Sequence, residues 1–336
     1  MRSPRLLIFL GIVVVCAATS IAVALVPLLR STESRASATG PLAKPSARTQ
    51  PYIAYQLISN DPLDDLHVGL VDVAKPRMQV TVLPLQCQRI DEEGGSGLCL
   101  IPKPSALRAV FEAKILGPNM SVRHTITLGG IPSRARVSPD GRYGAVTAFQ
   151  TGHSYASPGQ FSTSTTLIDV ARGRALYNVE KLTIFRDGKR FHKRDFNFWG
   201  VTFTREPGVF YVTLADGAHT YLVKADMRTR HGVILHTNVE CPSLSPDNTR
   251  IAFKKRVDDA NGRWRLTVLD LRTMRETPLA ETSSVDDQAE WLDDSHILYS
   301  LDNQVWEVRA DGTGQPELLL QGAQSPSVVR PATPGT

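Results

Sequence analysis

The densest grouping of chemistry-bearing side chains lies between Thr183 and Trp199, which reads Thr-Ile-Phe-Arg-Asp-Gly-Lys-Arg-Phe-His-Lys-Arg-Asp-Phe-Asn-Phe-Trp. Five cations (Arg186, Lys189, Arg190, Lys193, Arg194) are interleaved with Phe185, Phe191, Phe196 and Phe198. Basic groups beside aromatic anchors are a composition common to protein-binding hot spots. Arg186, Lys189, Arg190, Phe191, Lys193 and Arg194 therefore form a candidate docking patch for an acidic protein, an anionic lipid or a wall polymer. The plainer reading of the same residues is an inserted hairpin, turned at Asp187-Gly188, with a solvated basic face and aromatics in the core.

Cys87 and Cys99 flank Asp91-Glu-Glu-Gly-Gly-Ser-Gly97, which reads as a flexible loop able to bring them together, so they are a candidate disulfide. Cys241 and Cys16 read as buried thiols. Asp61-Pro-Leu-Asp-Asp65 and Asp286-Asp287 offer the hard oxygen donors that suit Ca²⁺. No cage of alternating ligands around a Gly turn accompanies them, and they read as solvated acidic loops. His153 and Ser154 are adjacent, and adjacent side chains on an extended chain point apart. The eight histidines are scattered. No Gly-x-Ser-x-Gly elbow, phosphate-binding Gly loop or Rossmann fingerprint is present. No catalytic residue, cofactor or metal ligand is assigned on these grounds.

The formal net charge of +5 does not signal nucleic-acid binding, because its location is wrong for that role. Arg2, Arg5, Arg30, Arg35, Lys44 and Arg48 face only Glu33 in residues 1–50, and the remaining 32 basic and 32 acidic residues cancel. A neutral body lacks the basic footprint that phosphate backbones require.

Residues 6–29 are 24 uncharged, mostly apolar positions. As a helix they span about 36 Å, enough for a hydrocarbon core of roughly 30 Å. They read as an uncleaved transmembrane signal anchor behind a short cytoplasmic segment, 1–5. The alternative is a signal cleaved near Ala36-Ser37-Ala38, which would release a secreted protein. The positive-inside count is ambiguous, but large domains after a first apolar segment translocate largely regardless of charge. The expected location is the plasma membrane, single-pass, with the large domain on the extracytoplasmic side. Residues 30–50 read as a disordered tether and 331–336 as a disordered tail.

Between them, residues 51–330 consist of short apolar runs punctuated by turn residues, the pattern of an all-β chain. The runs repeat. Strand-like segments end in an Asp-initiated turn at Asp72, Asp169, Asp226, Asp270 and Asp311, and Gly117-Pro118-Asn119 stands where a sixth copy is due. Asp suits these positions because its carboxylate accepts a backbone N–H within the turn. A second signature precedes them: Arg136-Val-Ser-Pro-Asp-Gly-Arg-Tyr-Gly-Ala-Val146 matches Ser243-Leu-Ser-Pro-Asp-Asn-Thr-Arg-Ile-Ala-Phe253. There Pro139 and Pro246 set φ, Asp140 and Asp247 accept, and Gly141 and Asn248 take the left-handed turn position. Degenerate copies start at Trp199 and Glu290. Four strands per unit, six units of 41 to 57 residues, is the arithmetic of a six-bladed β-propeller of four-stranded antiparallel blades. The first strand, Tyr52–Ile58, resembles the second strand of a blade, and Ser325–Arg330 can supply its missing inner neighbour, closing the ring.

The Ser-Pro-Asp-Gly units followed by an aliphatic-aromatic strand resemble the repeats of the TolB-type six-bladed propellers, over roughly residues 52–330. The resemblance implies a non-enzymatic interaction domain of the bacterial envelope whose partner is another envelope or membrane protein. The apolar segment 6–29, and the lack of a legible α/β domain before the propeller, depart from that family, so its specific partners are not carried over. The alternative is a metal-dependent hydrolase or lyase, or a glycan or small-ligand site, using residues gathered in the central channel from separate blades.

Overall fold

The computed structural model describes residues 50–60, 65–76, 80–103, 110–150, 162–217, 219–258 and 262–330. The apolar segment 6–29, nearly all of the tether, the tail 331–336, Asp61, Asp64, His153 and Ser154 lie outside the described residues.

Six sheets follow one another along the chain. Blade 1 begins with β1 (Tyr52–Leu57), β2 (His67–Asp72) and β3 (Thr81–Gln86). Blade 2 is β4 (Arg89–Glu93), β5 (Ser96–Lys103), β6 (Val110–Leu116) and β7 (Val122–Leu128). Blade 3 is β8 (Ile131–Val137), β9 (Tyr143–Phe149), β10 (Thr163–Asp169) and β11 (Arg174–Asn178). A hairpin of β12 (Thr183–Arg186) and β13 (Lys189–Phe191) precedes blade 4, which is β14 (Asn197–Phe203), β15 (Val209–Ala215), β16 (Thr220–Asp226) and β17 (His231–Thr237). Blade 5 is β18 (Glu240–Leu244), β19 (Arg250–Asp258), β20 (Arg263–Asp270) and β21 (Glu276–Pro278). Blade 6 is β22 (Glu290–Trp291), β23 (His296–Leu301), β24 (Gln304–Arg309) and β25 (Glu317–Gln321). The last strand, β26 (Ala323–Val329), returns to blade 1 and pairs antiparallel with β1, with Ile53 opposite Val328. The ring is therefore closed by both ends of the propeller, as the strand count requires.

The turns that define the repeat are built as their residue types dictate. Asp72 accepts the N–H of Ala74 at 2.7 Å, Asp169 that of Arg172 at 2.9 Å, and Asp226 that of Arg228 at 2.7 Å. Asp270 accepts from Thr273 at 2.7 Å and Asp311 from Thr313 at 2.9 Å. In the Ser-Pro-Asp turns Asp140 accepts the Ser138 hydroxyl at 2.6 Å and Asp247 accepts the Thr249 N–H at 3.0 Å, while Gly141 and Asn248 sit at φ +66° and +61°. These turns touch one another around one end of the ring. Arg205 N–H donates to Asn248 at 3.0 Å, and Asp247 N–H donates to Asp294 at 3.0 Å.

Apolar cores lie between blades. Leu98, Leu100 and Ile115 of blade 2 meet Val137, Val146 and Ile168 of blade 3, and Ala145 and Leu167 of blade 3 meet Phe198, Phe210 and Val223 of blade 4. Each blade is thus covered on both faces by its neighbours, which is why strands such as β15 are apolar at nearly every position.

Two features differ from the sequence reading. Blade 4 has six strands, because β12 pairs parallel with the outer strand β17, with Ile184 opposite Gly232. And Asp91–Gly97 is not a flexible loop: Asp91, Glu92 and Glu93 belong to the innermost strand β4, which turns at Gly94 (φ +58°) and Gly95 (φ +73°) into β5. The turn is fixed by packing as well as by φ, since a Cβ on Gly94 would lie 2.5 Å from the Gly141 nitrogen.

Candidate functional site on the channel axis and the edge hairpin

The inner strands β26, β4, β8, β14, β18 and β22 line the axis, and alternate residues on each strand share a face. On β4 that rule places Arg89, Asp91 and Glu93 together, with Ile90 on the opposite side in the core shared with blade 1. On β8 it pairs Arg134 with Arg136, about 7 Å apart along the strand. Both arginines reach across the axis toward blade 6, on the far side of the ring. Arg136 Nη1 lies 2.7 Å from Asp91 Oδ1 and 2.7 Å from Glu290 Oε2. Its Nη2 donates to the Ala289 carbonyl at 2.8 Å and to Ser243 Oγ at 3.4 Å. One guanidinium thus ties blades 2, 3, 5 and 6.

The carboxylates it holds are also satisfied by backbone. Asp91 Oδ2 accepts the Val137 N–H at 2.6 Å, and Glu290 Oε1 accepts the Val328 N–H at 3.1 Å. Burial pushes both carboxyls up from their ordinary range, and the Arg136 guanidinium pulls both back. The guanidinium is itself held on its proton by Glu290 and Asp91, against the burial that disfavours its charge. Asp287 is buried, with its oxygens accepting the N–H groups of Gln288 at 2.9 Å and Ser300 at 3.0 Å. Gln288 spans to the carbonyls of Val201 and Pro242 at 3.1 and 2.9 Å.

Toward the opposite mouth the charge reverses. Arg89 Nε and Arg134 Nη1 both donate to the Ser133 carbonyl, at 3.0 and 2.9 Å. Asp286 receives Lys254 Nζ, and Arg134 Nη2 lies 3.8 Å from the same carboxylate. Although burial pushes the Asp286 carboxyl up, Lys254, Arg134 and Arg89 hold it below its usual range. Asp286 is an exposed loop residue, as the sequence suggested, whereas Asp287 is buried. The first belongs to a cationic cluster and the second to a backbone clamp.

Three further carboxyls set a pH dependence. Burial pushes Glu92 up to about 7, partly offset by the Tyr52 hydroxyl that donates to it at 2.9 Å. Burial pushes Glu93 to about 7, with Asp91 and Glu290 adding to the push, and burial does the same to Glu180. These groups keep their protons in the folded protein at pH values where the unfolded chain has lost them. The folded state then binds more protons than the unfolded state between about pH 4.5 and 7, and stability must fall as pH rises through that window. For Glu92 alone the change is on the order of 3 kcal/mol. Asp247, brought to about 2 by its turn partners against the effect of burial, acts oppositely and loses its contribution on acidification. The urea midpoint is expected to be higher near pH 5 than near pH 8, and Glu92→Gln to flatten that slope. An identical slope in the variant would disprove the assignment.

The docking patch predicted from sequence is the edge hairpin. Asp187 and Gly188 take φ +51° and +73° at its tip. The structure divides the patch. Phe191 packs against the core shared by blades 3 and 4, with Phe196 at 5.3 Å and Tyr221 at 6.0 Å between ring centroids. Lys193 pairs at 2.6 Å with Asp216, whose side chain is 1% exposed. Burial pushes the Asp216 carboxyl up, but Lys193, the His219 N–H and Tyr221 outweigh it and bring it well below the usual range. Arg186 lies over the Tyr221 ring at 5.6 Å. Lys189, Arg190 and Arg194 are exposed. Of the cysteines, Cys87 and Cys99 are joined in a disulfide and Cys241 is a buried free thiol.

Sequence reasoning missed the axial arginines. The signal was present as charged residues at every second position of Arg134-x-Arg136 and Arg89-x-Asp91-x-Glu93, but it has meaning only once these strands are known to line a channel.

No family model matches the chain, and no curated protein matches it. Solved structures share its fold. TolB from Acinetobacter baumannii superposes with a TM-score of 0.58 at 14% identity, over 85% of this chain and 67% of that one. A putative TolB from Agrobacterium tumefaciens gives 0.50 at 14% identity, over 83% and 92%. A chain of a nidogen/laminin complex gives 0.54 at 8% identity, over 83% and 97%. At these identities the likeness is one of fold, and the chain is a six-bladed propeller of the TolB type in its architecture.

Proposed function

We propose that this protein is a non-enzymatic interaction module of the bacterial envelope, tethered to the plasma membrane by residues 6–29, with the propeller on the extracytoplasmic side binding another envelope protein. The observation that carries this reading is the β12–β13 hairpin. It lies outside the four strands that complete blade 4, so ring closure does not need it. Phe191 anchors it in the core shared by blades 3 and 4, and Lys189 and Arg190, with Arg194 just beyond it, are exposed. Cations on an outermost strand also protect that edge from indiscriminate pairing, which favours a selective acidic partner. The Cys87–Cys99 bridge suits an oxidising compartment. The enzyme alternative wants channel carboxylates with oxygens to spare, whereas Asp91 and Glu290 commit theirs to Arg136 and to backbone N–H groups.

The test is affinity capture and cross-linking of the full-length protein from its native membrane. Replacing Lys189, Arg190 and Arg194 together by Ser is expected to abolish partner recovery while changing stability by no more than about 0.5 kcal/mol, as for exposed positions generally. Lys193→Ser is expected to lower stability, because it strips Asp216 of its cation. Undiminished capture by the triple variant would refute the docking role of the hairpin.

A further inference from the structure

A second cluster of basic side chains, separate from the hairpin, lies at the mouth of the channel. Lys254 and Arg134 have side chains 0% and 6% exposed, and both approach one carboxylate, Asp286, which is 38% exposed. The Ser133 carbonyl gathers the guanidinium groups of Arg89 and Arg134. Bringing like charges together is unfavourable in a medium of reduced dielectric unless an anion sits among them. Lys254 is further confined by the Trp264 ring, 4.4 Å below its ammonium. The indole Nε1 of Trp264 is buried and has no hydrogen-bond partner among the described residues. Asp286 lies in the irregular connection between β21 and β22, and its exposure leaves its carboxylate a path to solvent.

We infer that Lys254, Arg134 and Arg89 form a seat for an oxyanion, a carboxylate or phosphate group, and that Asp286 fills this seat until an external anion displaces it. The arrangement matches the chemistry of both ligand types. Guanidinium groups offer paired N–H donors to planar or tetrahedral oxyanions, and a buried ammonium adds a point charge. An internal carboxylate in the seat lowers the apparent affinity by the fraction of time it occupies the seat. The wild-type protein should therefore bind weakly, and removal of the internal carboxylate should reveal the site.

The experiment is titration of acetate and of inorganic phosphate, at constant ionic strength balanced with chloride, into wild-type protein and Asp286→Asn. Asp286→Asn is expected to bind at least about tenfold more tightly, as it would if Asp286 occupies the seat more than about nine-tenths of the time. Lys254→Met in either background is expected to remove the binding. Triglycine with a free carboxylate, compared with its amide, separates the sources: preference for the free peptide over acetate assigns the seat to a chain terminus, and preference for phosphate assigns it to a small anion. Should Asp286→Asn fail to fold, the indole N–H resonance of Trp264, assigned with Trp264→Phe, reads the wild-type site directly and should shift with acetate. Equal affinity of wild type and Asp286→Asn, binding that survives Lys254→Met, or an unmoved indole resonance would overturn the inference.

Discussion

Arg136→Leu is expected to destabilise the propeller by about 3–5 kcal/mol, the range found when one partner of a buried ion pair is removed. The leucine would fill part of the space, but Asp91 and Glu290 would be left facing each other without the cation that lies between them. The two carboxylates come from blades 2 and 6, so their repulsion would act to open the ring. Two companion measurements separate this cause from simple loss of packing. Asp91→Asn in the Arg136→Leu background should recover part of the loss. The loss should also shrink on acidification, because burial already pushes both carboxyls up and protonation would remove the repulsion. An unfolding free energy for Arg136→Leu, from urea titration, within about 1 kcal/mol of wild type would show that the guanidinium merely fills the channel.

Truncation after Gly322 is expected to have a larger effect still, the loss of cooperative folding. It removes β26, and with it the inner neighbour of β1, the Val328 N–H that Glu290 accepts, and the Ser327 hydroxyl that accepts the Glu92 N–H at 3.0 Å. It would also leave β1 as an open edge at the centre of the ring, where a strand of another copy can pair. Near-ultraviolet circular dichroism should collapse, and gel filtration should show association. A peptide spanning residues 323–330, added in trans, should restore part of the signal by supplying the missing strand. A monomeric truncated chain with a wild-type unfolding transition would mean that the ring does not depend on this closure.

How much of this was legible beforehand depended on the distance over which each feature is made. Asp72, Asp169, Asp226, Asp270 and Asp311 bond to N–H groups two or three residues away, so residue type alone reveals them. The hairpin at Asp187-Gly188 was legible for the same reason. Strand β4 was not. It reads Arg-Ile-Asp-Glu-Glu, and a strand is recognised by its apolar face. Here the outward alternation of charge faces a channel, so the segment looks like a loop. The basic and aromatic cluster was legible as composition but not as geometry, because only the fold packs Phe191 against Tyr221 and Phe196 and pairs Lys193 with Asp216.

By itself the sequence determined the class, the number of blades and the place of closure, since these follow from local turn chemistry repeated at near-regular intervals and from apolar runs that need cover on both faces. Only the tertiary structure decided what the channel contains. Arg136 meets Ala289 across 153 residues, and Arg134 meets Asp286 across 152. No spacing rule spans such separations: curvature accumulated over successive blades brings the two strands face to face, and Coulomb attraction in a poorly solvated channel then couples them.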